Sequence, residues 1–221
     1  MFTGIVQSTG QIESVETRGG DLRLRVHCPD LGLDDAGDGD SISVNGVCLT
    51  AVEISGTGFS ADASKETMAL TTLAIARPGT RVNLEKALTL STPLGGHLVT
   101  GHVDGRGRVL RRREEARSIG FRIAVEENLA RYIARKGSIC IDGVSLTVNA
   151  VDDAEFDVNI VPHTLEVTTA GDWRTGGQVN LEVDLIARYT ERLIGVNLAG
   201  HTGPARLNIE TLEECGFVKN C

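Results

Sequence analysis

Aromatic side chains are scarce in this chain of 221 residues, where five Phe, two Tyr and one Trp amount to 4%. Single-stranded nucleic acids bind on platforms of stacked aromatic side chains, so the chain lacks the means for this mode of binding. Positive charge is also in deficit, with 22 Lys and Arg against 30 Asp and Glu and a formal net charge of −8. Because binding to polyanions depends on clustered Lys and Arg, the composition excludes nucleic acid as a partner.

Long apolar runs and paired cysteines are missing as well. No apolar stretch reaches the roughly 18 residues that a membrane-spanning helix requires, and residues 1–6 carry no charged segment that leads into an apolar run. The five cysteines lie far apart and form no CxxC pair. We therefore expect reduced thiols in a soluble cytoplasmic protein with no membrane partner. The hydrophobic content of 41% predicts a packed core instead of disorder.

An internal repeat organises the chain. Residues 1–87 align without a gap to residues 98–184, with 21 identities over 87 pairs, where average residue usage would give about five. The segment NGVCLT at 45–50 recurs as DGVSLT at 142–147, and VNLE at 82–85 recurs at 179–182. A repeat of this length is a duplicated domain. We expect one domain over 1–97, a second over 98–184, and an oligomerisation helix with a tail over 185–221.

Each copy is rich in strand signals. The Asn-Gly pair at 45–46 and the Asp-Gly pair at 142–143 each separate alternating apolar residues, which predicts a tight hairpin. Alternation continues at 22–26, 82–85, 119–123 and 179–183. Many short strands in about 90 residues predict a small closed antiparallel barrel, which leaves no open sheet edge.

Helical signals are fewer. Short helices are predicted at 64–70 and 129–135, and an amphipathic helix is predicted over 185–198. An isolated helix of that length is marginal in water unless its apolar face is buried. We therefore expect the helix at 185–198 to pack on a subunit partner.

Several separated motifs resemble the riboflavin synthase family. They are MFTGIV at the start, NGVCLT at 45–50, GGHLVTGHVDG at 95–105, KGSI at 136–139 and IVPHTL at 160–165. The likeness covers about residues 1–195 and keeps both copies in register. It implies an all-β fold of two homologous six-stranded antiparallel Greek-key barrels followed by a C-terminal α-helix. It also implies a homotrimer, and it leaves open an association with lumazine synthase.

The implied reaction needs no cofactor. It is a dismutation of two molecules of 6,7-dimethyl-8-ribityllumazine, in which one molecule gives a four-carbon unit to the other. The products are riboflavin and 5-amino-6-ribitylamino-uracil, and the enzyme is a transferase. A duplicated domain suits this chemistry, because two copies of one substrate must be held facing each other. In the family, the N-terminal barrel of one subunit faces the C-terminal barrel of its neighbour.

The resemblance also implies two substrate pockets, each with its own set of residues. The first comprises Gly4, Ile5, Val6, Cys48, Leu49, Thr50, Asp62, Ala63, Ser64, Lys65, Glu66 and Thr67. The second comprises Gly101, His102, Val103, Lys136, Ser145, Leu146, Thr147, Ile160, Val161, Pro162, His163, Thr164 and Leu165. Glycine allows a flat ring to approach the backbone closely, and hydroxyl groups can orient it. The alternative is that these glycines are ordinary turn residues and the threonines ordinary strand residues.

The candidate catalytic residues are Cys48, His102, Lys136, Asp142 and Ser145. Cys48 and Ser145 occupy equivalent positions, and each is a candidate nucleophile or hydrogen-bond donor or, alternatively, a small residue packed beside a turn. The resemblance leaves attack on the lumazine by water open beside covalent attack by either residue. His102 replaces Ile5 of the first copy and is suited to move a proton at the 7-methyl group of a lumazine. The alternative for His102 is a solvated or core histidine. His97 lies five residues before it, a spacing that does not favour a shared metal, and we predict none.

Two further asymmetries separate the copies. Lys136 stands where the first copy has Gly39, and Asp142 stands where it has Asn45. A pair of Lys136 and Asp142 would polarise the pyrimidinedione end of the ring. The alternatives are a hairpin-turn aspartate and a solvated lysine.

Three other functional classes compete with the enzyme. A non-catalytic lumazine- or flavin-binding protein would share the barrels but lose pocket residues, whereas this chain keeps Cys48, His97, His102, Lys136, Ser145 and Thr147. A flavin oxidoreductase would need a phosphate loop of the form G-x-G-x-x-G between a strand and a helix, and none occurs. A purely structural module would leave the asymmetry of the two pockets unexplained.

Overall fold

Two closed antiparallel barrels of six strands each make up most of the chain. The computed structural model describes residues 1–200, without the side chains of 195–200. The first barrel is formed by β1 (Ser8–Arg18), β2 (Asp21–His27), β3 (Ser41–Val44), β4 (Val47–Ser55), β5 (Gly58–Ala63) and β6 (Arg81–Lys86). The second is formed by β7 (Gly105–Glu115), β8 (Ser118–Ala124), β9 (Ser138–Ile141), β10 (Val144–Asp152), β11 (Glu155–Ile160) and β12 (Gln178–Val183).

The two barrels have the same topology. The strand order is β1-β2-β5-β4-β3-β6 in the first and β7-β8-β11-β10-β9-β12 in the second, and each ring is closed. Register shifts occur at equivalent places, between Ile12 and Ser14 in β1 and between Val109 and Arg111 in β7. Such bulges bend a strand, which helps so short a sheet to close. The predicted pair of homologous six-stranded barrels followed by a helix is confirmed.

Four α-helices accompany the strands in the described part of the chain. They are α1 (Lys65–Leu70), α2 (Glu127–Ala130), α3 (Pro162–Val167) and α4 (Leu185–Gly200). The helix predicted at 64–70 is confirmed, with Ser64 accepting a hydrogen bond from the Thr67 amide as its N-cap. The helix predicted at 129–135 begins and ends earlier, because the amides of Tyr132 and Ile133 bond three residues back and the chain then turns toward β9.

The last helix is close to its predicted extent. It runs over Leu185–Gly200, where 185–198 was predicted, and the tail beyond it lies outside the described residues. Ile186, Tyr189 and Leu193 on α4 are largely exposed in the single chain. No helix in the described residues is long and apolar enough to cross a membrane.

Each barrel encloses its own apolar core. The first is aliphatic except for Phe59 and Cys28. The second contains Phe121 packed edge-on against Trp173, with 5.3 Å between the ring centroids. A third small cluster of Phe2, Val99 and Cys140 lies apart from both cores.

The two barrels meet tip to tip through their hairpins. Gly46 and Gly143 both have positive φ, at 79° and 80°, and the residues before them also have positive φ, as a type I′ turn requires. A Cβ on Gly46 would lie 2.8 Å from the backbone nitrogen of Gly143, and the converse distance is also 2.8 Å. The predicted Asn-Gly and Asp-Gly hairpins are therefore confirmed, and their glycines also permit contact between the barrels.

Replacement of Gly46 tests this contact. We expect Gly46→Ala to lower the free energy of unfolding by about 1–3 kcal/mol for its backbone strain, with a further loss because the new methyl group has no room. The matched control is Gly32→Ala, whose φ is +64° but which has open space around it. Urea unfolding of both variants measures the difference, and equal losses would show that the contact between hairpins is not tight.

Candidate functional site

A cavity of about 250 Å³ opens in front of Cys48. Its walls come from the start of β4, from α1 and from the segment that precedes β7. The lining residues are Val47, Cys48, Glu66, Thr67, Leu70, Thr71, Gly101, His102 and Val103. A larger cavity, of about 640 Å³, lies at the joint between the barrels and contains only one predicted site residue, Asp142. The smaller cavity is therefore the better candidate for a substrate pocket.

Backbone hydrogen bonds explain why the segment before β7 reaches the first barrel. The amide of Cys48 donates to the carbonyl of Gly101 at 2.8 Å, and the amide of Ser145 donates to the carbonyl of Gly4 at 2.7 Å. A Cβ on Gly101 would lie 2.5 Å from Cβ of Cys48, and one on Gly4 would lie 2.7 Å from Cβ of Ser145. Only glycine permits so close an approach at both places.

This exchange corrects the predicted grouping of the pocket residues. Gly4, with Ile5 and Val6, was expected beside Cys48, and Gly101, with His102 and Val103, was expected beside Ser145. In the structure Gly101 instead contacts Cys48 and Gly4 contacts Ser145, so His102 lies at the Cys48 cavity. The reason is that each segment preceding a barrel pairs with the other barrel.

Two buried glutamates hold the turns at residues 3–4 and 100–101, which we call the exchanged turns because each contacts the opposite barrel. The Glu85 carboxylate accepts from the Thr3 amide at 2.6 Å, from the Thr3 hydroxyl at 2.6 Å and from the Gly4 amide at 3.0 Å. Glu182 accepts the same three bonds from Thr100 and Gly101 at 2.6, 2.8 and 2.9 Å. Burial raises the pKa of both carboxyl groups, although these bonds oppose the shift. Sequence reasoning treated the VNLE segments only as strands, although the same polar residues in both copies were a usable signal.

Ser145 has a histidine partner. Its Oγ lies 2.7 Å from Nδ1 of His97, a residue that is 9% exposed. Burial lowers the pKa of His97, while the charge of Asp184 opposes that shift. A neutral imidazole can accept the hydroxyl proton, so Ser145 is placed beside a base. Sequence spacing did not predict this contact, because 48 residues separate the two side chains.

The predicted pair of Lys136 and Asp142 does not form. Oδ1 of Asp142 accepts from the Asn180 amide at 2.7 Å, and Oδ2 accepts from Nε1 of Trp173 at 3.0 Å. Its carboxylate thus turns into the joint between the barrels, and burial raises its pKa to about 7. Asp142 therefore does not pair with Lys136 within one chain, and a role of either residue at the substrate stays a prediction.

Lys136 itself keeps an unusual position. Its side chain is exposed and its φ is +68°, where the first copy has Gly39 at +99°. Its amide donates to the carbonyl of Val148 at 2.7 Å, which places it beside the β9–β10 pair. A lysine in the left-handed region is strained, and such strain is common at functional sites.

The other predicted residues divide by the direction of their side chains. Thr50 and Thr147 stand two residues beyond Cys48 and Ser145 on the same strand faces and are exposed. Leu49, Ala63 and Ile160 are buried in the barrel cores, so only their backbone atoms are available to a ligand. On the surface of the first barrel, Asp62 pairs with Arg23 and Lys65 packs against Gly20. Leu146 and Leu165 pack against the second core. The start of α3 is formed by Val161, Pro162, His163 and Thr164.

Within residues 1–194, no three His, Cys, Asp or Glu side chains are grouped as a metal site would require. The residues that line the Cys48 cavity carry hydroxyl, thiol, imidazole, carboxylate and backbone polar groups. This arrangement suits an uncharged ring with several donors and acceptors.

Comparison with known proteins identifies the domain type. A family model described as lumazine binding domain matches residues 3–87 and again residues 100–184. The chain is 43% identical over 218 residues to riboflavin synthase of Photobacterium phosphoreum, covering 99% of this chain and all of that protein. It is 45% identical to the riboflavin synthase of Mycobacterium bovis, covering 88% and 98%, and 37% identical to that of Bacillus subtilis, covering 88% and 90%.

Solved structures of a protein named LumP resemble the fold. The structure in complex with riboflavin has a TM-score of 0.77 at 29% identity, and the one with 6,7-dimethyl-8-(1'-D-ribityl) lumazine has 0.75 at 28%. Both alignments cover 83% of this chain and 99% of LumP.

The buried Asp142 carboxyl predicts a dependence of stability on pH. Its folded pKa of about 7 exceeds the ordinary value of 3.8, so its protonated form is favoured in the fold. The stability it contributes is fully present below about pH 4 and is lost as the pH rises to about 7. Three pKa units correspond to on the order of 4 kcal/mol.

The measurement is urea unfolding of the unaltered chain and of Asp142→Asn at several pH values between 4 and 7. We expect the variant to lose much of the pH slope, because the first copy shows that Asn fits this turn position. Glu85 and Glu182 supply the remaining slope. An undiminished slope in the variant would contradict the assignment.

Proposed function

Because the chain belongs to the riboflavin synthase family, with its lumazine-binding domain present twice, we propose that each barrel binds one lumazine of a reacting pair. The protein is an enzyme, a transferase that dismutates two molecules of 6,7-dimethyl-8-ribityllumazine. One lumazine gives up a four-carbon unit and leaves as 5-amino-6-ribitylamino-uracil. The other receives that unit and becomes riboflavin, so carbon and electrons balance without a redox cofactor.

The observation that best supports this function is the similarity to riboflavin synthases over nearly the full length of the chain. The chain is 43% identical to one of them over 99% of its length, whereas LumP is 28–29% identical. The second candidate is a non-catalytic lumazine or flavin carrier. The LumP complexes support binding of such ligands to this fold, which both candidates require.

The two pockets are equipped for different tasks. His102 stands at the Cys48 cavity, where it is suited to take a proton from the 7-methyl group of the lumazine bound there. Ser145, with His97 beside its hydroxyl, is suited to add to the other lumazine as a nucleophile while its proton passes to the imidazole. In the described residues no histidine is hydrogen-bonded to the Cys48 thiol as His97 is to the Ser145 hydroxyl, so we assign the nucleophile to Ser145. Holding both rings in a reactive pose supplies about 7–11 kcal/mol of the barrier reduction.

Turnover of the lumazine tests the function. We expect the purified chain to convert it to riboflavin without an added oxidant, seen as the growth of riboflavin fluorescence. Ser145→Ala should lower kcat by about 10²–10⁴-fold, because it removes the nucleophile. A chain that binds the lumazine and forms no riboflavin would be a carrier.

We also propose that the chain forms a homotrimer in the cytoplasm. The exposed apolar residues Ile186, Tyr189 and Leu193 of α4 offer a surface for subunit contact. The free thiols of Cys28, Cys48 and Cys140 support a reducing compartment. An association with lumazine synthase would deliver the substrate directly, and co-sedimentation of the two proteins would detect it.

Removal of the last helix tests the proposed assembly. A chain that ends at Asp184 should sediment as a smaller species than the full chain, because the apolar face of α4 is gone. The double variant Ile186→Ser/Leu193→Ser separates that face from the loss of chain length and should behave similarly. Trimers that persist in both would rule out this role for the helix.

A further inference from the structure

We propose that Asn83 and Asn180 are positioning residues and that each builds the substrate pocket of the opposite barrel. The inference rests on the proposed function for the identity of the ligand. The hydrogen bonds from which it is argued can be tested without measuring enzymatic turnover.

The side chain of Asn180, on β12 of the second barrel, bonds only to the first barrel. Its Oδ1 accepts from the amide of Thr72 at 2.7 Å, and its Nδ2 donates to the carbonyl of Asn45 at 2.8 Å. Asn83, on β6, does the converse, with Oδ1 accepting from the Thr169 amide at 2.7 Å and Nδ2 donating to the Asp142 carbonyl at 2.8 Å. Each asparagine is 1% exposed.

The bond to Thr72 fixes one wall of the first pocket. Thr72 directly follows Thr71, whose hydroxyl donates to the carbonyl of Thr67 at 2.7 Å and so closes the end of α1. Thr67 and Thr71 both line the Cys48 cavity. Since α1 has only six residues, it depends on such outside contacts for its position.

The bond to Asn45 fixes a second wall. Asn45 begins the hairpin turn that leads into β4, and Cys48 follows three residues later. One side chain of the second barrel therefore holds both α1 and the strand that carries Cys48.

The segments around α3 and Ser145, which we assign to the second pocket, repeat this arrangement. The Thr168 hydroxyl donates to the Thr164 carbonyl at 2.6 Å and closes the end of α3, and the adjacent Thr169 is held by Asn83. The other bond of Asn83 reaches Asp142, three residues before Ser145. Within its own barrel each asparagine bonds through its backbone: its amide donates to the side chain of Asn45 or Asp142, and its carbonyl accepts from the amide of that same residue.

Because each asparagine bonds to the opposite barrel, its loss has an effect that distinguishes the proposed role from a general contribution to stability. If each asparagine merely stabilised the molecule, its loss would affect both pockets alike. If each builds the opposite pocket, its loss will loosen that pocket and spare the other.

The thiol of Cys48 reports on the first pocket because it is partly exposed. Burial raises the pKa of Cys28 to about 11 and raises that of Cys140 well above its ordinary value, so these thiols react slowly. Cys215 and Cys221 are replaced by Ser in every chain used. For the second pocket, the reporter is the thiol introduced by Ser145→Cys, with Cys48→Ser in the same chain.

The measurement is the rate of alkylation by iodoacetamide and its protection by riboflavin. We expect Asn180→Ala to raise the rate at Cys48 and to raise the riboflavin concentration needed for protection, each by about fivefold to tenfold. The reporter at position 145 should be unchanged. Asn83→Ala should raise both quantities for the reporter at position 145 and leave Cys48 unchanged. The control is Asn159→Ala, at an exposed position of β11, which should change neither reporter.

Asn180→Asp supports the test should the alanine variant not fold, as judged by the fluorescence of Trp173. It keeps an acceptor for Thr72 but loses the donor to Asn45, so the rate at Cys48 should still rise without a change at position 145. Equal effects on both reporters, an effect confined to the mutated barrel, or no effect would each overturn the proposal. If riboflavin does not protect the unaltered chain, the proposed function fails, while the unliganded rates still decide this inference.

Discussion

The bonding of Asn83 and Asn180 across the joint is the interaction on which both candidate pockets depend. Each side chain uses its oxygen and its nitrogen on backbone groups of the other barrel, and all four distances are 2.7 or 2.8 Å. The contact of Gly46 with Gly143 brings the barrels close enough for these bonds. Because the exchanged turns at Gly4 and Gly101 add to the same arrangement, neither pocket consists of one barrel alone.

The two copies differ at most positions, and the differences that bear on the proposed function are those that fall at the candidate pockets. His102 replaces Ile5, Ser145 replaces Cys48, and the strained Lys136 replaces Gly39. Two identical lumazines must perform different tasks in a dismutation, so equivalent pockets with unequal side chains are what the reaction needs. The duplicated barrel makes the two pockets equivalent, and these three substitutions make their side chains unequal.

The repeat, the barrels and the type I′ hairpins were predictable because they depend on local patterns such as Asn45-Gly46. The crossing of the turns at Gly4 and Gly101 was not, since both copies carry the same glycine and sequence alone does not tell which barrel each one meets. The position of Asp142 also depended on a distant partner, Trp173, which buries it. The asparagines at 83 and 180 were visible as polar residues repeated in a strand, but their partners belong to another barrel.

The most direct measurement of this joint is residue-resolved hydrogen exchange of the amides of Thr72 and Thr169. Both donate to an asparagine of the other barrel, and a bond that opens only with the joint should protect them strongly. The account predicts exchange as slow as that of barrel amides such as Leu84. Exchange as fast as that of the exposed Ala74 would contradict the claim that the joint holds the pockets together.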